Sequence, residues 1–349
     1  MMKKLLFVVI IMGIVLIFFI FKNQQNKAVE QHSFQQERMT VAAFKPDTLE
    51  ICSFNIQFLG SFKKRDDQAL ADIVKNYDIV IIQELVASPY DGTYPDGSAY
   101  TGDAEAAEFF DAMQSHGFSY LLSEEDTGTG DKNHLKSTAT EWFVAFYKPH
   151  IVSTAVDVPH GFLAKDRSNN DDYERVPYAF PFRSANNTLD FVLISVHLQP
   201  GNRPAERERR AHELATISGW IQENSTVEKD FIILGDMNIY DADELAEITP
   251  QGFISLNDEC RTTNTLSVSG RGEPYDHVMF NPRFSSEVDQ AFDFYVINLV
   301  AAMQPYWISD SPYPGDPYDH NLFRQTYSDH FPVVFHLITP AQDDDGLHM

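Results

Sequence analysis

The sequence predicts an α/β fold in which two β-sheets pack on each other under an outer cover of helices. Three observations lead there. Short apolar runs recur along the body, several of them apolar on both faces, as strands between two layers must be. Amphipathic helical stretches lie between them. Several of these strands end in a carboxylate, an amide or a histidine, which places those residues on one shared rim.

The elements follow in order. Residues 50–57 form a short apolar run ending in polar residues. In 66–77, Ala69, Leu70, Ile73, Val74 and Tyr77 share one helical stripe. Residues 78–83 read as a buried strand, and 103–116 repeat the helical pattern with Ala106, Phe109, Phe110 and Met113. Strands are expected at 118–123, 141–148, 151–157, 177–183 and 189–197, then a charged helix at 204–222. A buried strand follows at 231–235, and later strands at 275–280 and 331–338. The Gly-, Asp- and Ser-rich stretches 91–103, 123–139 and 164–174 read as surface loops. No internal repeat and no second linker appears, so one domain from about 47 to 340 is the simplest organisation.

The 349 residues carry 26 Lys and Arg against 51 Asp and Glu, a net charge of −25. That excludes a passive electrostatic clamp on nucleic acid, which would be basic. It leaves room for an enzyme acting on phosphates, because bound divalent cations supply positive charge. Two cysteines exclude a disulfide-dense scaffold and a Cys-rich zinc module. Cys52 and Cys260 are read as separate thiols, with a pairing in an oxidising compartment as the alternative.

Lys3 and Lys4 precede an unbroken apolar run, 5–21, closed by Lys22. No small-residue cleavage pattern follows, so 1–22 reads as a signal anchor, with a cleaved signal peptide as the alternative. The body is then expected outside the cytoplasm, membrane-anchored or secreted. Residues 23–46 are a polar, Gln-rich tether, and 341–349 an acidic tail.

The chemistry lies at the strand ends. Asn55 ends the first run, Glu84 the second and His197 the strand 191–196; Asp236 and Asn238 follow 231–235. Asp276 and His277 open one late strand, and Asp329 and His330 precede another. Glu84, Asp236, Asp329, Asn55 and Asn238 are hard oxygen donors suited to magnesium, manganese or calcium. Asp236 and Asn238, two apart on an extended chain, should share a face, and Gly235 permits close backbone approach. His197 and His330 are candidate general base and acid, each needing a carboxylate to fix its tautomer. Together these residues suit hydrolysis of a phosphate ester.

Asn55 in Ser53-Phe54-Asn55-Ile56-Gln57, Gln83-Glu84, Ser195-Val196-His197, Gly235-Asp236-Met237-Asn238, Tyr275-Asp276-His277 and Ser328-Asp329-His330 occur in the order found in the endonuclease/exonuclease/phosphatase superfamily. Any one of these motifs is weak; the ordered set is specific, and the resemblance covers nearly all of 49–337. Within the superfamily the chain most resembles deoxyribonuclease I. Glu141 before Trp142, Arg175 in Glu174-Arg175-Val176-Pro177, Thr262-Thr263 and Phe292-Asp293-Phe294 also fall where that family has similar residues.

The resemblance implies a four-layer α/β/β/α sandwich and divalent-metal-dependent cleavage of phosphodiester bonds in DNA by a monomer. It implies His197 and His330 as the acid/base pair, oriented by Glu141 and Asp276. Glu84 would be the main metal carboxylate, with Asn55 and Asp329 near it. Asp236 and Asn238 would hold a second cation or the phosphate and position the water. Arg175 would contact a phosphate, and Tyr147 is an unassigned neighbour. Magnesium, with manganese as a substitute, is the implied catalytic ion, and calcium a structural or activating one.

There are departures. Val86 stands where deoxyribonuclease I carries an arginine for the minor groove, which weakens the inference of a duplex grip. Arg203, Arg207, Arg209 and Arg210 follow His197; they read as one solvated helical face, with compensating DNA contacts as the alternative. The stretch 305–325 has no counterpart in the resemblance; its role is left open, with a place bordering the site as one option because it leads directly into Ser328-Asp329-His330. Two other functions stand beside the nuclease: a sphingomyelinase or phosphoinositide phosphatase acting on lipid phosphoesters, and an inactive binding module on the same fold.

Overall fold

The computed structural model describes residues 48–185, 188–264, 272–292, 294–314 and 319–339. The anchor or signal segment, the tether, the acidic tail and Asp293 of the 292–294 motif lie outside the described residues. Among the described residues no helix is long and apolar enough to cross a membrane.

The first sheet has the order β14 (Tyr295–Val296), β15 (Val333–Ile338), β1 (Thr48–Leu59), β2 (Ile79–Leu85), β6 (Trp142–Tyr147), β5 (Ser119–Leu122). The second runs β12 (Ile254–Ser255), β13 (Asp276–Phe280), β11 (Phe231–Asp236), β10 (Asp190–His197), β9 (Tyr178–Ser184), β7 (Val152–Thr154), with β8 (Gly161–Phe162) also paired to β9. A small hairpin, β3 (Gly92–Thr93) and β4 (Ala99–Tyr100), occupies the expected loop 91–103.

Period-two alternation sorts the core into three apolar layers. On the first sheet, Cys52, Phe54, Val80, Ile82, Val144 and Phe146 face outward. They meet α1 (Asp67–Val74), α2 (Ala104–Ser115), α5 (Leu299–Met303) and α6 (His320–Thr326) through Leu70, Phe109, Phe110, Leu299, Met303 and Phe323. Leu49, Ile51, Ile79, Ile81, Phe143 and Ala145 face inward, onto Phe180, Phe191, Leu193, Ile232 and Leu234 of the second sheet. Val192, Ile194, Val196 and Ile233 face out under α3 (Pro204–Asn224) and α4 (Ala242–Ile248), against Leu214, Ile217, Leu245 and Ile248. Helix, sheet, sheet, helix is therefore the layer order. Burial of each large side chain contributes about 1.5–3 kcal/mol.

Two helix starts follow from their sequence. Asp66 Oδ1 accepts from Ala69 N at 3.1 Å to cap α1, and Asp103 Oδ1 accepts from Glu105 N at 3.0 Å to cap α2. Cys52 and Cys260 are both free thiols. Cys52 packs under the helices of the first sheet and Cys260 against the outer layer of the second, so they do not meet.

Two segments of the sequence reading gain detail. Of the described residues in 305–325, Trp307, Tyr313 and Phe323 pack on the outer core of the first sheet, while Arg324 reaches toward the rim through Gln57. The arginines after His197 do not make one solvated face: Arg203 is exposed, Arg207 and Arg209 are half-buried and Arg210 is buried. Arg203 pairs with Glu206, Arg207 with Asp241, and Arg209 donates to the Asp171 and Asn170 carbonyls. Arg210 is fully buried, with Nε donating to Glu244 at 2.8 Å and Nη1 to the Gln199 and Gly201 carbonyls at 2.8 and 2.7 Å. A charge pattern cannot distinguish a solvated arginine from one whose carboxylate partner lies on a later helix.

Arg210 thus ties the loop that follows His197 to α4. Arg210→Ala strands Glu244 without its main cation and should cost about 3–5 kcal/mol, read as a lower urea midpoint at unchanged m-value. Arg210→Met combined with Glu244→Leu should recover most of that loss.

Candidate active site

Topology gathers the polar strand ends. β1 and β2 are parallel, as are β10 and β11, so their C-terminal ends lie side by side in each sheet. Each parallel pair requires a crossover, supplied by α1 and α3. The neighbours β6, β13 and β15 are antiparallel to these strands, so their N-terminal ends reach the same rim. That is why Asn55, Glu84, His197 and Asp236 come from strand ends, while Glu141, Asp276 and His330 come from strand beginnings.

The inner face of each strand changes character toward this rim. On β1, Leu49 and Ile51 give way to Ser53 and Asn55; on β10, Phe191 and Leu193 give way to Ser195 and His197. A buried polar relay crosses between the sheets just below the rim: Ser53 Oγ donates to Gln83 Oε1 at 3.4 Å, and Gln83 Nε2 donates to Ser195 Oγ at 3.2 Å. Gly235 closes the same level. Its φ is +133°, and a Cβ there would lie 2.2 Å from the Val196 carbonyl oxygen, so only glycine lets β10 and β11 approach this closely.

Each histidine is held through Nδ1. His330 Nδ1 lies 2.8 Å from Asp276 Oδ2, and His197 Nδ1 lies 3.1 Å from Glu141 Oε1. With Nδ1 occupied, both Nε2 atoms turn to the same point: each lies 3.5 Å from Asp236 Oδ2. Burial opposes charge on His330, but Asp276 and Asp236 outweigh it and carry its pKa well above 6.5. Burial and Arg175 oppose charge on His197; Glu141 and Asp236 outweigh them and raise it. Burial would raise Glu141, yet His197 and Arg175 hold it below its usual value.

Glu84 reaches the rim through a local break in the strand. Strict alternation would put it outward beside Ile82. Instead its φ is +61°, the ladders of β1 with β2 and of β2 with β6 shift register around it, and its carboxylate turns inward. Asn55 Nδ2 donates to Glu84 Oε1 at 2.9 Å and to Asp236 Oδ2 at 3.0 Å, and Phe58 N donates to Glu84 Oε2 at 3.1 Å. Glu84 N donates in turn to Glu141 Oε2 at 2.8 Å. A non-glycine residue in this left-handed region costs about 1–3 kcal/mol, a strain typical of functional positions.

Asp236 and Asn238 come together for a different reason from the extended spacing. The strand ends at Asp236, Asn238 has φ +51°, and Asn238 N donates back to Asp236 Oδ1 at 2.9 Å. The Asn238 amide donates to the Leu198 carbonyl at 3.1 Å, bracing the chain just past His197. Ser328 docks the His330 segment on β1: its Oγ donates to the Asn55 carbonyl at 2.8 Å and accepts from His330 N at 3.2 Å. Thr263 Oγ1 accepts from Asp276 N at 2.9 Å, which fixes the start of β13. His277, on the outward face of β13, meets Ser255 Oγ at 2.9 Å, and burial lowers its pKa to about 4.

The surroundings of four further residues bear on their expected roles. Arg175 Nε lies 2.9 Å from the same Glu141 oxygen that faces His197, so it contacts the histidine's partner; its buried Nη1 has no hydrogen-bond partner. Asp329 accepts from Gln57 Nε2, while its Oδ1 is buried without a partner. Burial pushes Asp329 up to about 6; His330 opposes that rise and Glu84 adds to it. Tyr147 lies at the far end of β6 and packs on Phe182 in the central core, away from the rim. Val86 is buried, with its backbone N donating to the Leu59 carbonyl at 2.9 Å. The sequence reading overlooked Gln57 and Arg324, which donates to Gln57 Oε1 at 3.1 Å. Gln57 carries the inward pattern of β1 one step further, and that periodicity could have found it.

The donor set fits a divalent cation. Ligand atoms of Glu84, His197 and Asp236 lie within 4.8 Å of one another, and the buried Asn55 Oδ1 has no hydrogen-bond partner. Two carboxylates held together need a positive charge between them. Asp329 stands beside this cluster, not within it.

Comparison with known proteins agrees with this geometry. The family model for the endonuclease/exonuclease/phosphatase family matches residues 52–330. Deoxyribonuclease gamma of Mus musculus is 24% identical over 195 residues, covering 54% of this chain and 55% of that protein. A deoxyribonuclease of Thioalkalivibrio sp. (strain K90mix) is 27% identical over 192 residues, covering 55% of this chain and 46% of the other. The chain thus spans about half the length of the curated relatives it matches. A crystal structure of an endonuclease/exonuclease/phosphatase family protein from Bacteroides thetaiotaomicron shares the fold, with TM-score 0.50 and 14% identity over 83% of this chain and 97% of that one. From the match over 52–330, the chain belongs to the endonuclease/exonuclease/phosphatase family.

Proposed function

We propose that this protein is a divalent-cation-dependent endonuclease of the deoxyribonuclease I type, hydrolysing phosphodiester bonds in DNA by in-line attack of water. The observation that carries the proposal is the pair of carboxylate-held histidines whose Nε2 atoms converge on Asp236 Oδ2 at 3.5 Å each. Two relatives named deoxyribonucleases support DNA as the substrate.

The roles follow from the electrostatics. Asp276 and Asp236 favour the charged form of His330, which therefore gives its proton to the leaving oxygen. His197 is also raised, but Arg175 opposes its charge and His330 is raised well above the usual value, so we assign His197 the water's proton. Glu141 keeps the His197 ring oriented and stabilises the imidazolium that forms. Asp236 and Asn238 position the water and the phosphate, and the free Arg175 Nη1 offers a donor to a phosphoryl oxygen. A magnesium or manganese ion held by Glu84, Asp236 and Asn55, with Asp329 beside them, would supply Lewis-acid stabilisation of the charge on phosphorus oxygens. We assign calcium a structural or activating role.

The acidic chain implies that cations also screen the DNA backbone, because a net charge of −25 repels it. We place the work of the protein outside the cytoplasm, on the character of residues 1–22. The test is hydrolysis of duplex DNA, sphingomyelin and a phosphoinositide side by side at equal enzyme. DNA should be cleaved at least about 100-fold faster than either lipid, a difference of about 2.7 kcal/mol in barrier. Faster hydrolysis of either lipid would overturn the assignment of substrate.

A further inference from the structure

A cavity opens in the helical cover of the first sheet. Its volume is about 820 Å3, within the range of small-molecule sites, roughly 300–1,000 Å3. α1 and α2 form one side; the other comes from the turn Gln304–Tyr306, the residues just after it and the end of α6.

Asp67, in the first turn of α1, lines this cavity. It is 4% exposed, and neither of its carboxylate oxygens has a hydrogen-bond partner. A buried carboxylate with two open acceptors is costly unless a proton or a cation meets it. The surrounding groups do not supply one. Asp66 and Glu108 add negative charge, as does Glu105 of α2. Arg65 is the nearby cation, but its Nε pairs with Glu105 at 2.7 Å and its Nη atoms donate to the Tyr327 and Gln57 carbonyls. At the mouth, Asp111 accepts from Tyr90, and Lys64 is exposed. The opposite wall is aromatic, with Tyr306, Trp307 and Tyr327, and Ile308 stands 93% exposed on its rim.

We propose that this cavity binds a primary organic ammonium, with its N–H groups on Asp67 and its apolar body against Trp307 and Tyr327. A compact cation fits less well: magnesium takes an octahedral set of oxygens, and among the described residues the acids lining this cavity do not bring three ligand atoms together. Aromatic faces suit an ammonium with a hydrocarbon body, by cation–π attraction and apolar contact.

Burial and Glu105 push Asp67 up to about 8, against the smaller opposing effect of Arg65. The carboxyl is then mostly protonated at pH 6.5, and an ammonium must displace that proton. Affinity therefore rises with pH up to about 8 and levels off above it.

The experiment is calorimetric titration of the full chain with benzylamine and with benzyl alcohol, at pH 6.5 and pH 8.5. Benzylamine should bind saturably at pH 8.5 and about tenfold or more weaker at pH 6.5, while the alcohol should not saturate. Asp67→Asn should reduce benzylamine affinity by at least about tenfold, or about 1.4 kcal/mol, abolish its pH dependence and leave DNA cleavage unchanged. No benzylamine binding to the unmodified protein, or equal binding of the alcohol, would overturn the proposal; the comparison of the two ligands decides even if the variant does not fold. Equal affinity in a folded Asp67→Asn protein would overturn it too. Displacement of benzylamine by millimolar magnesium alone would instead make the cavity a metal site.

Discussion

His330→Ala should lower the rate of DNA cleavage by about 100- to 10,000-fold, the usual loss of a general acid or base. The fold should survive, because the segment is docked by Ser328 Oγ and the backbone, not by the imidazole. Asp276→Asn is the more informative partner experiment. Asp276 lies 2.8 Å from His330 Nδ1 and favours the imidazolium. Its loss lowers the pKa of His330, so the protonated acid disappears at a lower pH. The alkaline limb of the kcat profile should therefore move toward acid, along with a fall in rate. An unchanged limb would mean that His330 is not the proton donor.

Asp236→Asn should produce the other large effect, a fall in kcat/KM of about 1,000-fold or more. This carboxylate faces both Nε2 atoms and receives the Asn55 amide. It favours charge on both imidazoles, so both pKa values should fall in the variant. It also belongs to the cluster with Glu84 and His197 that fits a cation. Glu84→Gln probes that second role. The magnesium needed for half-maximal rate should rise at least about tenfold, about 1.4 kcal/mol. Equal magnesium dependence in the variant and the unmodified protein would remove Glu84 from the cation site.

Much of the fold could be read in the sequence because buried strands announce themselves. The runs at 78–83, 189–197 and 231–235 became β2, β10 and β11 with small shifts at their ends. The polar residues that close them marked the rim, since a sheet with both faces covered has little other reason to end in histidines and acids. What the sequence hid was local geometry. The left-handed turn at Glu84 and the turn at Asn238 break the strand alternation, and nothing in the residue types of Gln83-Glu84-Leu85 signals it. The protein partners of Arg175 and Arg210 were hidden for a related reason. Their partners, Glu141 and Glu244, lie 34 residues away in each case and meet them only through the fold. Nothing in the sequence marks Asp67 out; only the packed helices show it buried and unpartnered.

The most direct measurement is nicking of supercoiled plasmid by the full chain in magnesium plus calcium, repeated with chelator and with His197→Ala. The account predicts nicked and linear products that vanish with chelator and nearly vanish with the variant. Intact plasmid under every condition, or cleavage that persists in chelator, would contradict it.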